Sequence, residues 1–183
     1  MARILVAVSG SAACFKAAAL CSQLSQAGHG VQVVLTSSAA KMVQPLQFSC
    51  LTGNPALVDE FDPADPAGMD HIALAKDADL LVVVPATANT IGNLAQGLAP
   101  NLLGSLALAY ASQGPRLLVP AMHPGMWGNP AVQRNIATLL EDGWVQVGPV
   151  VGGTACGEFG EGRMVETEVI LAAIKSALPS PRS

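Results

Sequence analysis

Charge is scarce in this chain of 183 residues: Asp, Glu, Lys and Arg together make up 12%, and the net charge is −4. The 9 Lys and Arg are scattered, so there is no basic stripe of the kind that tracks a phosphodiester backbone or an anionic membrane. Nucleic acid and membrane surfaces are excluded as partners. No apolar run approaches the roughly 20 residues that cross a bilayer; the runs 4–8 and 80–84 have strand length. The N-terminus lacks the charged, apolar and cleavage regions of a signal peptide, which predicts a cytoplasmic protein with reduced thiols. Cys14, Cys21, Cys50 and Cys156 form no C-x-x-C pair and have no His at metal-ligand spacing, so neither a disulfide framework nor a metal site is expected. Internal repeats are absent too. Disorder is excluded by what is present: 51% of the residues are hydrophobic, enough for one compact α/β domain or a subunit with buried interfaces.

The hydrophobic pattern predicts an alternation of strands and helices. Residues 3–8 read as a buried strand, followed by the turn Ser9-Gly10-Ser11, an Ala/Leu-rich helix and a terminating Gly28. Residues 31–35 close this βαβ unit, and Thr36-Ser37-Ser38 precedes a short helical stretch. A second helix-like segment spans 45–51, then a turn at 53–55, an extended piece at 56–61 and a loop at 62–68. A helix is expected to start near His71. Strands follow at 80–84, 116–121 and 145–150, with helices between them and Pro130 in the first turn of one. Residues 152–164 hold five glycines in thirteen positions and read as a loop, ahead of a final amphipathic helix to about 178. The expected architecture is a single-domain, three-layer α/β/α Rossmann-like fold with a doubly wound parallel sheet over 1–178, with 179–183 as a tail or the start of a linker. In such a fold ligands sit outside the carboxyl ends of the strands, and every unusual loop falls there.

Ser9-Gly10-Ser11 lacks the full G-x-G-x-x-G and G-x-x-x-x-G-K patterns. A small turn before a helix can still offer N–H groups to one phosphate, although a tight turn in any α/β fold reads the same way. Thr36 offers a hydroxyl donor or a helix cap. His71 follows Asp70 at a helix start, where the dipole keeps an imidazole neutral enough to act as a base; capping or plain exposure fits equally. His29 reads as solvated, whereas His123 follows a buried strand at the expected crevice. Three of the cysteines are expected to pack, while Cys156 lies among glycines and reads as a reactive thiol on a flap.

Three separated motifs then agree. Pro85-Ala86-Thr87-Ala88-Asn89-Thr90 resembles P-A-S-A-N-T. Residues 120–127 resemble P-x-M-N-x-x-M-W, and 153–164 resemble G-x-x-C-G-x-x-G-x-G-R-M. In this order the chain resembles the homo-oligomeric flavin-containing cysteine decarboxylases, with one departure: His123 stands where the family has Asn. The resemblance implies FMN, with its phosphate at Gly10, Ser11 and Thr36 beside Ala12, and its rings near Phe48 and the loop Pro85, Ala86, Thr87, Ala88, Asn89 and Thr90. Ala121 and Met122 complete the implied cofactor set. It further implies a catalytic His71, a proton-donating Cys156, and substrate contacts from His123, Met126, Asn89, Gly157 and Arg163, with His123 taking the carboxylate. Assembly as a trimer or a multiple of trimers is implied as well.

The implied reaction is the FMN-dependent decarboxylation of 4′-phosphopantothenoylcysteine to 4′-phosphopantetheine in coenzyme A biosynthesis, and a phosphopantothenate-cysteine ligase is an implied partner. A cysteine-derived carboxylate has no electron sink for loss of CO₂. Oxidising the CH₂–SH carbon to a thioaldehyde supplies one, and the resulting ene-thiolate needs a proton and a hydride to reach the saturated thiol. Three rivals are a peptidyl-cysteine decarboxylase, which stops at the ene-thiol and needs no cysteine flap, a flavin prenyltransferase-like enzyme, which lacks the M-x-x-M-W and cysteine motifs, and a non-catalytic regulatory flavoprotein subunit.

Overall fold

A computed structural model describes residues 1–58, 70–110 and 114–178. The chain runs β1 (Arg3–Val8), α1 (Cys14–Gln26), β2 (Gly30–Leu35), α2 (Ser37–Ala40), α3 (Pro45–Thr52), α4 (Asp70–Asp77), β3 (Leu80–Ala86), α5 (Ala88–Ala95) and α6 (Leu102–Tyr110). It continues through β4 (Arg116–Pro120), α7 (Pro124–Trp127), α8 (Pro130–Glu141), β5 (Trp144–Gln146), β6 (Val150–Gly153), β7 (Phe159–Arg163) and α9 (Thr167–Ala177). Five parallel strands in the order β2-β1-β3-β4-β5 form the main sheet, and β6 and β7 pair separately and antiparallel.

The sheet's sequences are continuously apolar because both faces are covered. Ile4, Val6 and Val8 pack with Leu80, Val82, Val84, Leu117 and Val119 in a core beneath α1, α3 and α9. Leu5 and Ala7 join Leu81, Val83 and Leu118 on the other face, beneath α5, α6 and α8. Alternate side chains thus feed two cores, and every residue of β3 is buried. Each fully buried aliphatic side chain contributes about 1.5–3 kcal/mol, so a polar residue anywhere in β3 would be heavily destabilising.

The strand order reverses between β1 and β3, which opens a crevice at their carboxyl ends. Gly28, at φ +83°, lets the chain leave α1 and enter β2. Thr36 accepts the Ala39 N–H at 3.2 Å and so caps α2.

Several expectations change. The strand expected at 145–150 ends at Gln146. Gly148, at φ +80°, turns the chain, and Val150 opens the second sheet. The glycine-rich segment is a hairpin rather than a loop, because Gly157 (φ +87°) supplies the left-handed residue that a three-residue hairpin turn needs. Only two of the cysteines, Cys14 and Cys21, are packed inside; Cys50 is exposed, as is Cys156. Of the extended piece expected at 56–61, Leu57 bridges Val34; residues 59–61, the loop at 62–68 and the tail at 179–183 lie outside the described residues. No helix among the described residues is long and apolar enough to cross a membrane.

Candidate functional site

The crevice between β1 and β3 is built on a buried serine. The Ser9 hydroxyl, 1% exposed, donates to the Pro85 carbonyl at 2.7 Å and accepts the Thr87 N–H at 3.0 Å. Thr87 in turn caps α5, accepting the Thr90 N–H at 3.3 Å. One side chain thereby locks the loop after β1 to the loop after β3. Gly10 carries this closeness further: a Cβ there would lie 2.6 Å from the Ser38 Cβ and 3.0 Å from its carbonyl carbon, so only glycine lets the first and second strand-end loops meet.

These loops enclose a chamber of about 650 Å³. Gly10, Ser11, Thr36, Thr87, Ala88, Asn89 and Thr90 line it, as do Ala121, Met122 and Met126, so most of the cofactor residues expected from the sequence come together here. Its polar lining is all hydroxyl and amide, with no charged side chain among the lining residues. An anion in it would be held by neutral N–H and O–H donors.

A second chamber, of about 630 Å³, adjoins the first and shares Ser11, Ala121 and Met122 with it. It also takes in Ala12, His123, Cys156 and Arg163. Its roof is the β6–β7 hairpin, docked by specific contacts. The Met122 N–H donates to the Gly162 carbonyl at 2.9 Å. A Cβ on Gly160 would lie 2.8 Å from Pro124, and one on Gly162, at φ +140°, would collide with the Met122 carbonyl oxygen. Gly160 and Gly162 are therefore demanded by the flap's seat on the loop after β4.

His123 uses both ring nitrogens within the chain. Nδ1 accepts the Gly125 N–H at 3.0 Å, capping α7, which makes Nε2 the protonated nitrogen that donates to the Glu158 carboxylate at 2.9 Å. Glu166 binds two cations of the second chamber, Lys16 at 2.8 Å and Arg163 at 2.7 Å, and the Lys16 ammonium beside it holds its carboxyl below the usual range. Lys16 also reaches the Met164 carbonyl at 3.4 Å. At the hairpin tip, the Cys156 sulfur lies 3.0 Å from the Thr154 hydroxyl. That hydrogen bond, helped by backbone bonding to Glu158, lowers the pKa of the thiol. Burial has the opposite effect on Cys21, pushing it up to about 12.

Other expected residues lie elsewhere. Phe48 lines neither chamber and is wholly buried on α3 in the core beneath the sheet. Pro85 and Ala86 are buried at the end of β3 and line neither chamber, although the Pro85 carbonyl anchors Ser9. Gly157 forms the hairpin turn, its N–H donating to the Thr154 carbonyl at 3.0 Å. His71, half-buried at the start of α4, lines neither chamber of its own chain. Residues not singled out in the sequence also line the chambers: Ser37, Ser38, Asn93 and Asn101 in the first, Phe15, Lys16 and Thr154 in the second. Two signals could have found some of them. Lys16 is the only charged residue of α1, and Asn93 sits one turn after Asn89 on α5.

Comparison with known proteins follows the same outline. The chain matches the Flavoprotein family over residues 1–178. It is 40% identical over 176 residues to a probable phosphopantothenoylcysteine decarboxylase of Streptococcus mutans, covering 96% of this chain and 98% of that protein. The coenzyme A biosynthesis bifunctional protein CoaBC of Bacillus subtilis is 44% identical over 168 residues, or 92% of this chain, but the match spans only 41% of the bifunctional protein. Among solved structures, a PPC decarboxylase mutant complexed with pantothenoylaminoethenethiol superposes with a TM-score of 0.83 at 32% identity, covering 96% of this chain and 97% of that one. The FMN-dependent cysteine decarboxylase SpaF gives a TM-score of 0.80 at 30% identity, covering 97% and 95%.

Proposed function

Since the chain belongs to the Flavoprotein family, we propose that it holds FMN in the first chamber and decarboxylates 4′-phosphopantothenoylcysteine in the second, giving 4′-phosphopantetheine. The observation that carries this reading is the junction of the two chambers at Ser11, Ala121 and Met122, which puts a hydroxyl-lined pocket against one that contains a thiol, an imidazole and two cations. The first chamber fits the cofactor: Gly10 lets backbone approach closely, and Ser11, Thr36, Ser38, Asn89 and Thr90 line it with hydroxyl and amide groups. When bound, FMN supplies a reversible two-electron oxidation, which makes the substrate's CH₂–SH carbon a thioaldehyde and so gives the departing carboxylate an electron sink.

The chain's own residues do the rest. The substrate carboxylate takes the place of Glu158 at His123 Nε2, with Arg163 orienting the remainder in the second chamber and Met126 and Asn89 reaching it from the first. Cys156 delivers a proton to carbon after CO₂ has left, while the hairpin keeps water out. His71 lies outside both chambers of its own chain, so it serves the oxidation and decarboxylation half in a chamber of a second copy. Assembly as trimers or multiples of trimers provides that neighbour, and Phe159 and Val151, exposed on the hairpin, supply apolar surface for it. The substrate comes from a phosphopantothenate-cysteine ligase. We place the work in the cytoplasm, where the Cys156 thiol stays reduced.

Purified protein should be yellow, release FMN in acid, and convert 4′-phosphopantothenoylcysteine under nitrogen to a product with the mass of 4′-phosphopantetheine. A colourless protein that takes up no added FMN refutes the cofactor. A product lighter by two hydrogens would point instead to an enzyme that stops at the ene-thiol.

A further inference from the structure

We propose that Thr154 is a positioning residue for Cys156, its one hydroxyl proton shared in turn between the Glu158 carbonyl and the Cys156 sulfur. The proposal rests on the reading above, in which Cys156 is the proton donor. The Thr154 oxygen lies 2.9 Å from the Glu158 carbonyl and 3.0 Å from the Cys156 sulfur. A carbonyl can only accept, and a hydroxyl has one proton to give. While that proton points at Glu158, the Thr154 oxygen presents lone pairs to the sulfur, so the thiol is held as S–H donating to Thr154.

Proton delivery reverses the arrangement. The S–H bond breaks, a C–H bond forms on the ene-thiolate, and the electron pair of the S–H bond stays on sulfur. A thiolate can only accept, so the Thr154 hydroxyl turns from the carbonyl to the sulfur. The Glu158 carbonyl is not stranded by this, because it keeps the Thr154 backbone N–H at 2.8 Å. The swap therefore gives up two neutral hydrogen bonds, thiol to Thr154 and Thr154 to Glu158, for one to a charged acceptor, which is about twice as strong as a neutral one.

The surroundings leave this task to the hydroxyl. The Glu158 carboxylate opposes a thiolate, while Lys16 and Arg163, the cations lining the chamber, are both tied to Glu166. Thr154 is the largest influence favouring the ionised sulfur. A purely structural Thr154 would only close the hairpin tip.

The two roles separate by thiol reactivity in the FMN-loaded full chain. Cys50, exposed on α3 and outside both chambers, is first replaced by Ser, which leaves Cys156 as the exposed thiol while Cys14 and Cys21 stay buried. Iodoacetamide alkylation of Cys156 is then followed against pH. Thr154→Val should slow alkylation at neutral pH by about threefold or more and move its midpoint upward, and Thr154→Ser should restore both. If Val and Ser variants both match the parent, or both slow equally, the hydroxyl does not hold the thiol and the proposal is overturned. A parent with this pattern that converts no substrate would refute the reaction assigned above while leaving the hold on the thiol standing.

Discussion

The two chambers share three residues yet are built in opposite ways. The first is assembled from the ends of buried strands, its loops locked together by Ser9, Thr87 and a glycine in backbone contact with Ser38. The second is roofed by a two-stranded hairpin whose outer residues, Val151 and Phe159 among them, are exposed, and which is seated by a few polar contacts: Met122 to Gly162, His123 to Glu158, and Arg163 to Glu166. A group that must stay still belongs in the first. A group that must open for substrate and close for proton transfer belongs under the second, where few buried contacts have to break.

The sharpest test of this contrast is Cys156→Ser. It alters the hairpin tip alone, so FMN binding and thermal stability should stay at parental values. Turnover to the saturated thiol should fall by about a hundredfold or more, the scale of a lost general acid, with a product lighter by two hydrogens accumulating. Mass spectrometry of an anaerobic single turnover reads this. Saturated product at the parental rate would remove the thiol from the chemistry and leave the hairpin as a lid.

Gly10→Ala tests the other region and should fail in the opposite manner. The added Cβ meets Ser38, including its backbone, at 2.6–3.0 Å, and the loop it strikes is tied to β1 by the Thr36 N–H, which donates to the Val8 carbonyl at 2.9 Å. Overpacking of this kind costs about 1–3 kcal/mol, so both the thermal midpoint and FMN retention should fall together, with Cys156 alkylation in the flavin-loaded fraction unchanged. Parental stability and colour would show that the sheet-end loops are as yielding as the hairpin.

The same contrast decided what the sequence reveals. The strands of the first region announce themselves, because a strand buried on both faces must be continuously apolar, as 4–8 and 80–84 are, and the turn and cap residues Ser9, Gly10, Thr36 and Thr87 follow directly. The hairpin is nearly silent. Its strands contain Gly152, Gly153, Gly160 and Gly162, which carry no hydrophobic alternation, and its pairing is read only in the backbone. The short fifth strand was overrun for a related reason: Val145, Val147 and Val150 are apolar in sequence, but Gly148 and Pro149 turn the chain between them. Phe48, expected beside the flavin rings, is wholly buried in the core, a placement that its position in the sequence does not disclose. Thr154 and Ser38 were invisible for want of a partner; each acquires meaning only when the structure brings Cys156 or Gly10 beside it.

His123 sits on the boundary between the regions and should respond weakly to one change and clearly to another. His123→Asn keeps an oxygen to cap α7 and an N–H₂ to offer a carboxylate, so kcat/KM should stay within a few-fold. His123→Ala loses a cap contributing about 1 kcal/mol together with a hydrogen bond to a charged acceptor, so kcat/KM should fall about tenfold or more, mainly through KM. Equal kinetics in all three proteins would mean that the substrate carboxylate is held elsewhere.

The smallest expected effect concerns the hairpin's far anchor. Lys16, hydrogen-bonded to Glu166 and with its side chain only 14% exposed, holds the Glu166 carboxyl below its ordinary range, with Arg163 adding to the effect. A carboxyl whose folded pKa is depressed stabilises the fold at pH above its unfolded value, about 4.3; that contribution is lost as pH falls through the lowered folded value. Glu166→Gln should therefore unfold slightly more easily than the parent at pH 7, and the gap should close on acidification well below pH 4. Because Glu166 is itself largely solvent-exposed, the gap should also shrink in high salt. Thermal unfolding of both proteins at pH 7 and pH 3, at low and high salt, measures it. A gap unchanged between the two pH values would mean that the Gln variant loses packing rather than charge, and that the hairpin's anchor is no more electrostatic than the loops of the first chamber.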